Sequence, residues 1–321
     1  MSTLVAASGD GVFTLTECDG AWEASATLSG RGAQCIAAAG QTVYAGCRGA
    51  GVWRSEDAGQ TWADAELPQR DVYSVAIAAD GAVYAGCEPS ALFVSRNGGW
   101  RELTALQDIP SKPTWSFPPR PWTSHVRWIA PNPHEAGMLL VGIELGGLMR
   151  SGDGGDTFDD HRPGAQRDVH CLAWHPSVPG RAYEAAGGGT AWSQDWGESW
   201  EPLDAGRDRH YSWAVAVDPD DPDRWFVSAS PGPFQAHGRG TAEAFVYRLG
   251  PDRSWAALDG GLPQPLDAMP YALLFAHGRL FAGLRDGRLY ASADGGDTWV
   301  EQQLMGDPLP SIVALVEAGL H

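Results

Sequence analysis

SADGGDTW, residues 292–299, is one of four near-copies of a single phrase; the others are SEDAGQTW at 55–62, SGDGGDTF at 151–158 and SQDWGESW at 193–200. Self-similarity with a period of roughly 40 residues points to an array of supersecondary units. Each copy follows a short apolar run and closes on an aromatic residue, which is the pattern of a β-hairpin turn. Ser292 and Asp294 have short side chains able to bond the turn's own backbone, and Gly296 supplies the positive φ of a tight turn. Trp299 begins the next strand, where its ring can be buried between neighbouring repeats.

The S-x-D-x-G-x-T-W pattern of these four segments resembles the Asp-box, or BNR repeat, of the β-propellers that include sialidases, two-domain xyloglucanases, sortilin-type receptors and the photosystem II assembly factor. The resemblance runs from one end of the chain to the other. It implies an all-β fold in which the boxes lie on the outer turns of the blades, away from the ligand face, so that Ser292, Asp294 and Trp299 are structural. The arginine triad and nucleophilic tyrosine of the sialidases have no residue-by-residue counterpart in this sequence.

Seven repeats align. Their innermost strands begin near Gln34, Tyr73, Arg127, His170, Trp213, Tyr271 and Ser311, and their second strands carry runs such as VYAG at 43–46 and 83–86. Degenerate boxes at 95–100 (SRNGGW) and 247–255 (YRLGPDRSW) complete the series, so the blades close on Trp22, Trp62, Trp100, Phe158, Trp200, Trp255 and Trp299. The first repeat lacks an innermost strand, while the tail has one to spare. The expectation is a single domain over 1–321: a seven-bladed β-propeller of four-stranded antiparallel blades, its ring closed by the strand at 311–317 joining the N-terminal strands in blade one. Closure removes a free sheet edge.

The 41 glycines and 23 prolines suit short strands and turns. No window holds about 18 uninterrupted apolar residues, which predicts no membrane span. The first fifteen residues read as strand rather than as a signal peptide, there is no N-x-S/T sequon and the cysteine count of five is odd; together these predict a cytoplasmic protein with free thiols. The net charge of −18 opposes a phosphate backbone and an anionic bilayer, so neither nucleic acid nor membrane is an expected partner.

In a propeller the entrance of each innermost strand and the loop after the second strand share one face. The entrance residues are polar or aromatic all round: Gln34, Tyr73, Arg127, His170, Trp213, Tyr271 and Ser311. Two residues beyond the second-strand glycines come Arg48, Glu88, Glu144 and Arg285, with His125, His210 and His237 just past these ends. Two insertions, 103–124 and 230–245, break the spacing and are expected to wall the same mouth. Such a mixture is the make-up of a small-ligand pocket.

Four chemistries compete for it. Glu88 and Glu144, on adjacent blades, suit acid and base on a glycosidic bond, a reading that the family resemblance favours, or else serve as partners of the arginines. The histidines with a glutamate offer metal ligands, but no HxH or HExxH spacing supports them, so no metal and no cofactor is predicted. Arg48, Arg127 and Arg285 suit a carboxylate or phosphate clamp. Cys35, Cys47, Cys87 and Cys171 read as core thiols. The sequence reading is therefore a small-molecule-binding propeller of glycoside-hydrolase type. Glu88, Glu144 and His170 are its catalytic candidates, and Arg48, Tyr73, His125, Arg127, Trp213, His237, Tyr271 and Arg285 would bind a small polar or anionic molecule. A non-catalytic scaffold with a protein partner is the alternative.

Overall fold

One serine and one aspartate tie off each of the four S-x-D turns. Ser292 donates to Asp294 Oδ1 (2.8 Å) and accepts from the Gly296 amide (2.8 Å), while Asp294 accepts from the Thr298 amide (2.8 Å) and hydroxyl (2.6 Å). The same bonds recur around Ser55 and Asp57, Ser151 and Asp153, and Ser193 and Asp195. Gly296 sits at φ 94° and its counterpart Gly59 at 87°, a region that glycine enters without strain. Donors converging on the carboxylate favour its charged form. The hydroxyls of Thr61 and Thr298 lead in holding Asp57 and Asp294 down to about 2.

The computed structural model describes residues 3–118 and 123–319. Their strands form seven separate sheets. The innermost strands are Ala314–Glu317, Ala33–Ala39, Val72–Ile77, Val126–Pro131, Val169–Trp174, Tyr211–Val217 and Pro270–Ala276, and each touches the next around a closed ring. The fold is a seven-bladed β-propeller. Blade one takes its innermost strand from the tail, in antiparallel register with the N-terminal strand: Leu4 faces Glu317 and Ala7 faces Ala314. Two details depart from the regular four-stranded expectation. Leu304–Gly306 adds a fifth strand to blade one, parallel to Ala21–Leu28, and the outer strand of blade four shrinks to a single bridge between Arg150 and Asp159.

The blades pack through the second-strand glycines. A Cβ on Gly86 would lie 2.5 Å from Val126 Cγ1, one on Gly142 2.4 Å from Val169 Cγ1 and one on Gly283 2.5 Å from Ile312 Cγ2. At these positions the first residue of the next blade's innermost strand, or for blade one Ile312 two residues before it, occupies the space a side chain would need. Five innermost strands shift register against their neighbours directly after their first residue, and Tyr211–Val217 does so after its second. The extra residue is Gln34, Tyr73, Arg127, His170 and Tyr271 in five blades, and Trp213 with Ala214 spans the shift in the sixth. A bulge of this kind re-aims a side chain out of the sheet's alternation.

Ile312 is fully buried against Leu4, Phe281 and Leu289 at the ring's seam. Ile312→Ala is expected to cost about 2–5 kcal/mol in urea unfolding. Removing residues 310–321 is expected to expose the edge of Thr3–Ala7 and yield oligomers on size-exclusion chromatography.

Candidate functional site

The bulges aim their side chains at one end of the central axis. There they line a cavity of about 920 Å³ with Arg48, Phe117, His125, Glu144, His237 and Arg285. Of the entrance residues, Gln34, Tyr73, Arg127, Trp213, Tyr271 and Ser311 reach its wall. Both insertions contribute: Phe117 comes from the first, and His237, Gly238 and Arg239 come from the second, which forms the single α-helical turn among the described residues, Pro233–His237. Pro119, Arg120, Pro121 and Trp122 of the first insertion lie outside the described residues.

Three of the four arginines of the cup rest on aromatic rings. The guanidinium carbon of Arg48 lies 4.7 Å from the Tyr73 ring centre, that of Arg127 4.7 Å from Trp213 and that of Arg285 5.9 Å from Tyr271. Arg48 also donates to the Tyr73 hydroxyl, and Arg285 to the His237 carbonyl. The rings continue one another: Trp213 lies 5.0 Å from Tyr271 and 4.9 Å from His237. Stacking of this sort holds a guanidinium in place without consuming its in-plane N–H donors.

Beside Tyr73, His125 stands between two carboxylates. Its Nε2 is 2.7 Å from Glu144 Oε2 and its Nδ1 is 3.4 Å from Glu88 Oε2, with the ring stacked on Tyr73 at 3.9 Å. Arg127 Nε adds a contact of 3.6 Å to the same Glu144 oxygen. Burial alone would raise Glu144, but the His125 hydrogen bond and the neighbouring His170 and Arg127 outweigh it and bring the carboxyl down to about 2. Glu144 is therefore a fixed anion. Glu88 is buried behind His125 and does not line the cavity.

His170 is also off the wall. It is fully buried beneath Trp213, its ring centre 4.5 Å from the indole, and its Nδ1 lies 2.7 Å from the Ser212 carbonyl. Its Nε2 points at Asp168 Oδ2, 3.6 Å away. Burial raises the Asp168 carboxyl, assisted by the like charge of Glu144 and opposed by His170. His210 stands apart, its side chain half exposed. Cys47 and Cys87 are fully buried, and burial pushes both thiols up to about 12, far from nucleophilic character at neutral pH.

No protein-family model matches the sequence, and no curated protein matches it either. Solved structures do share the fold. YCF48 bound to a D1 peptide is 19% identical with a TM-score of 0.58, over 83% of this chain and 79% of that one. The GH74 xyloglucanase from Xanthomonas campestris is 18% identical with a TM-score of 0.62, but this chain, although 94% covered, spans only 47% of its length. The WD40 β-propeller domain of Doa1 is 11% identical with a TM-score of 0.61, over 97% and 89% of the two chains. At these identities the likeness is one of fold, and it is shared by an enzyme and by proteins of other kinds.

Asp168 escapes a reading confined to the entrance positions, although a signal was present. RDVYSVA at 70–76 and RDVHCLA at 167–173 repeat one another, so Asp168 precedes His170 as Asp71 precedes Tyr73. Asp10, Arg239, Asp267 and Asp286 also line the cup without any signal in the repeats.

His237 bridges two tyrosines, Nε2 at 2.8 Å from the Tyr211 hydroxyl and Nδ1 at 2.6 Å from that of Tyr271. Burial, assisted by the positive charges of Arg285 and Arg127, lowers it from 6.5 to about 4. Between those two values the unfolded chain binds a proton that the folded chain refuses, so this group's contribution to stability falls as pH drops from about 6.5 towards 4 and is level above 6.5. Urea unfolding at pH 7.5 and pH 5 should therefore show the natural protein losing up to about 2 kcal/mol more than His237→Gln, an upper limit because the ring is only partly buried.

Proposed function

We propose that the chain acts as one propeller domain whose axial cup binds a small polar anion of the sugar-acid or carboxylate class. The supporting observation is the set of three arginines, Arg48, Arg127 and Arg285, gathered on aromatic rings around one cavity in a chain of net charge −18. Guanidinium groups offer paired donors to a carboxylate, and rings such as Trp213 and Tyr271 suit the apolar face of a sugar. A cup of a few hundred cubic ångströms or more accommodates ligands of that size.

Binding is favoured over hydrolysis. A glycosidase needs a carboxylic acid kept protonated near neutral pH, facing a second carboxylate across the substrate. Glu144 has the opposite character, ionised and engaged by His125 and Arg127, and Glu88 is set back from the cup. The fold likeness to a xyloglucanase carries no weight here, because fold alone does not assign chemistry. The five unpaired thiols support residence in a reducing compartment.

Calorimetric titration with a panel of sugar acids, small carboxylates and the matching neutral sugars tests this reading. Acids are expected to bind and neutral analogues to bind at least about tenfold more weakly, and Arg127→Leu or Arg285→Leu is expected to weaken the acids about 10–100-fold, the worth of one charged hydrogen bond. Equal binding of acids and neutral sugars, or no binding of either, would overturn it, as would turnover of a glycoside that survives Arg127→Leu.

A further inference from the structure

Beside the cup, Glu144, Asp168 and His170 each aim a donor atom into one small space, with these atoms all within 4.8 Å of one another. The geometry at His170 fixes which of its nitrogens is which. Nδ1 lies 2.7 Å from a carbonyl oxygen, which can only accept, so Nδ1 carries the ring proton. In that tautomer Nε2 is a bare lone pair. It is fully buried, points at Asp168 Oδ2 from 3.6 Å and has no hydrogen-bond partner among the described residues. Asp168 Oδ1 is likewise buried without a hydrogen-bond partner among the described residues, and although Glu144 accepts from His125, no donor serves the two orphaned acceptors beside it, an arrangement that is unfavourable unless something positive sits in their midst.

We propose that this space is a binding site for a divalent transition-metal ion, ligated by His170 Nε2 and by one carboxylate oxygen each from Asp168 and Glu144. The inference stands whatever the cup binds, and it departs from the sequence reading, which predicted no metal. The Ser212 carbonyl performs the task that an outer partner performs in known metal centres, fixing the tautomer and the ring plane. A tetrahedral centre with bonds of roughly 2.0–2.2 Å sets its donors about 3.3–3.6 Å apart, so the His170–Asp168 pair is already spaced for one. One imidazole with two carboxylates suits the series from Mn²⁺ to Zn²⁺, whereas Ca²⁺ and Mg²⁺ prefer oxygen throughout. Asp168 retains 24% side-chain exposure and Glu144 lines the cup, so the ion has a route in.

The competing occupant is a second proton on His170, which would satisfy the same three acceptors. Protein stripped with a chelator and dialysed should be titrated separately with Zn²⁺, Mn²⁺ and Ca²⁺, following heat and bound metal. The expected result is one equivalent per chain, with Zn²⁺ tighter than Mn²⁺ and Ca²⁺ weakest. Changes to outer partners alone cost metal sites about 10–100-fold, so His170→Gln and Asp168→Asn should each weaken Zn²⁺ by at least about tenfold. His210→Gln, outside the cluster, should leave it unchanged. His170→Gln alters a fully buried side chain and circular dichroism must show it folded; Asp168→Asn, at a partly exposed side chain, carries the test if it is not. Absence of a stoichiometric equivalent, Zn²⁺ binding indifferent to Asp168→Asn, or ring ¹⁵N shifts showing His170 doubly protonated at pH 8 and unmoved by Zn²⁺ would each overturn the proposal.

Discussion

The contact on which the ring depends is between a glycine with no side chain and a residue at the entrance of the next blade's innermost strand. Val126 on Gly86, Val169 on Gly142 and Ile312 on Gly283 bring adjacent sheets closer than any Cβ would allow. Close approach is worth having because both faces of each inner strand then lie in a dense apolar layer, where a gap forfeits dispersion and burial together. The last of these contacts is made by the tail of the chain. Ile312 thus packs the tail onto blade seven as Val126 and Val169 pack their blades, while Ala314–Glu317 pairs with Thr3–Ala7 as an inner strand pairs with a second strand elsewhere in the ring.

The same contact produces the site. Holding one residue tightly in the glycine's place leaves the next residue out of register, and the bulge turns it away from the sheet's alternating in-and-out pattern. Arg127 and Tyr271 thereby face the cup, Tyr271 with its ring still packed on the apolar layer beneath it. His170 occupies the same bulge but is drawn under Trp213 by the Ser212 carbonyl, so blade five contributes a buried imidazole where its neighbours contribute wall. In blade six Ser228 stands where others have glycine, and its hydroxyl accepts the Ala214 amide that the register shift leaves unpaired.

Much of this was legible because repetition turns one strand into seven aligned observations. The S-x-D turns gave the blade boundaries, and the column Gln34, Tyr73, Arg127, His170, Trp213, Tyr271, Ser311 stood out because apolar residues should fill a packing position. What stayed hidden was set by contacts that do not repeat. The parallel pairing of Leu304–Gly306 with Ala21–Leu28 joins segments almost a whole chain apart, and nothing local announces it. The loss of the outer strand in blade four leaves Phe158 in place and so leaves the sequence pattern intact. Glu88 and Glu144 occupy equivalent positions, yet only Glu144 reaches the cup, because His125 stands between them and covers Glu88. Alignment within the repeat assigns a position to a face of the propeller; which of two equivalent side chains reaches the ligand is decided by a third residue from outside the column.

The division of labour also accounts for how one scaffold carries unlike chemistry. Blade packing uses the glycine and the residue set upon it, whereas the bulged residue beside them lies outside that contact. A change of Arg127 to another polar or aromatic side chain would alter the cup and leave the Val126–Gly86 contact untouched. Solved propellers that share as little as 11–19% identity with this chain nonetheless superpose with TM-scores of 0.58–0.62, as expected if most substitutions fall where packing is indifferent. The fold alone does not assign a chemistry, so that of this chain has to be read from its own side chains, the arginines on their aromatic shelves and the acceptors gathered at His170.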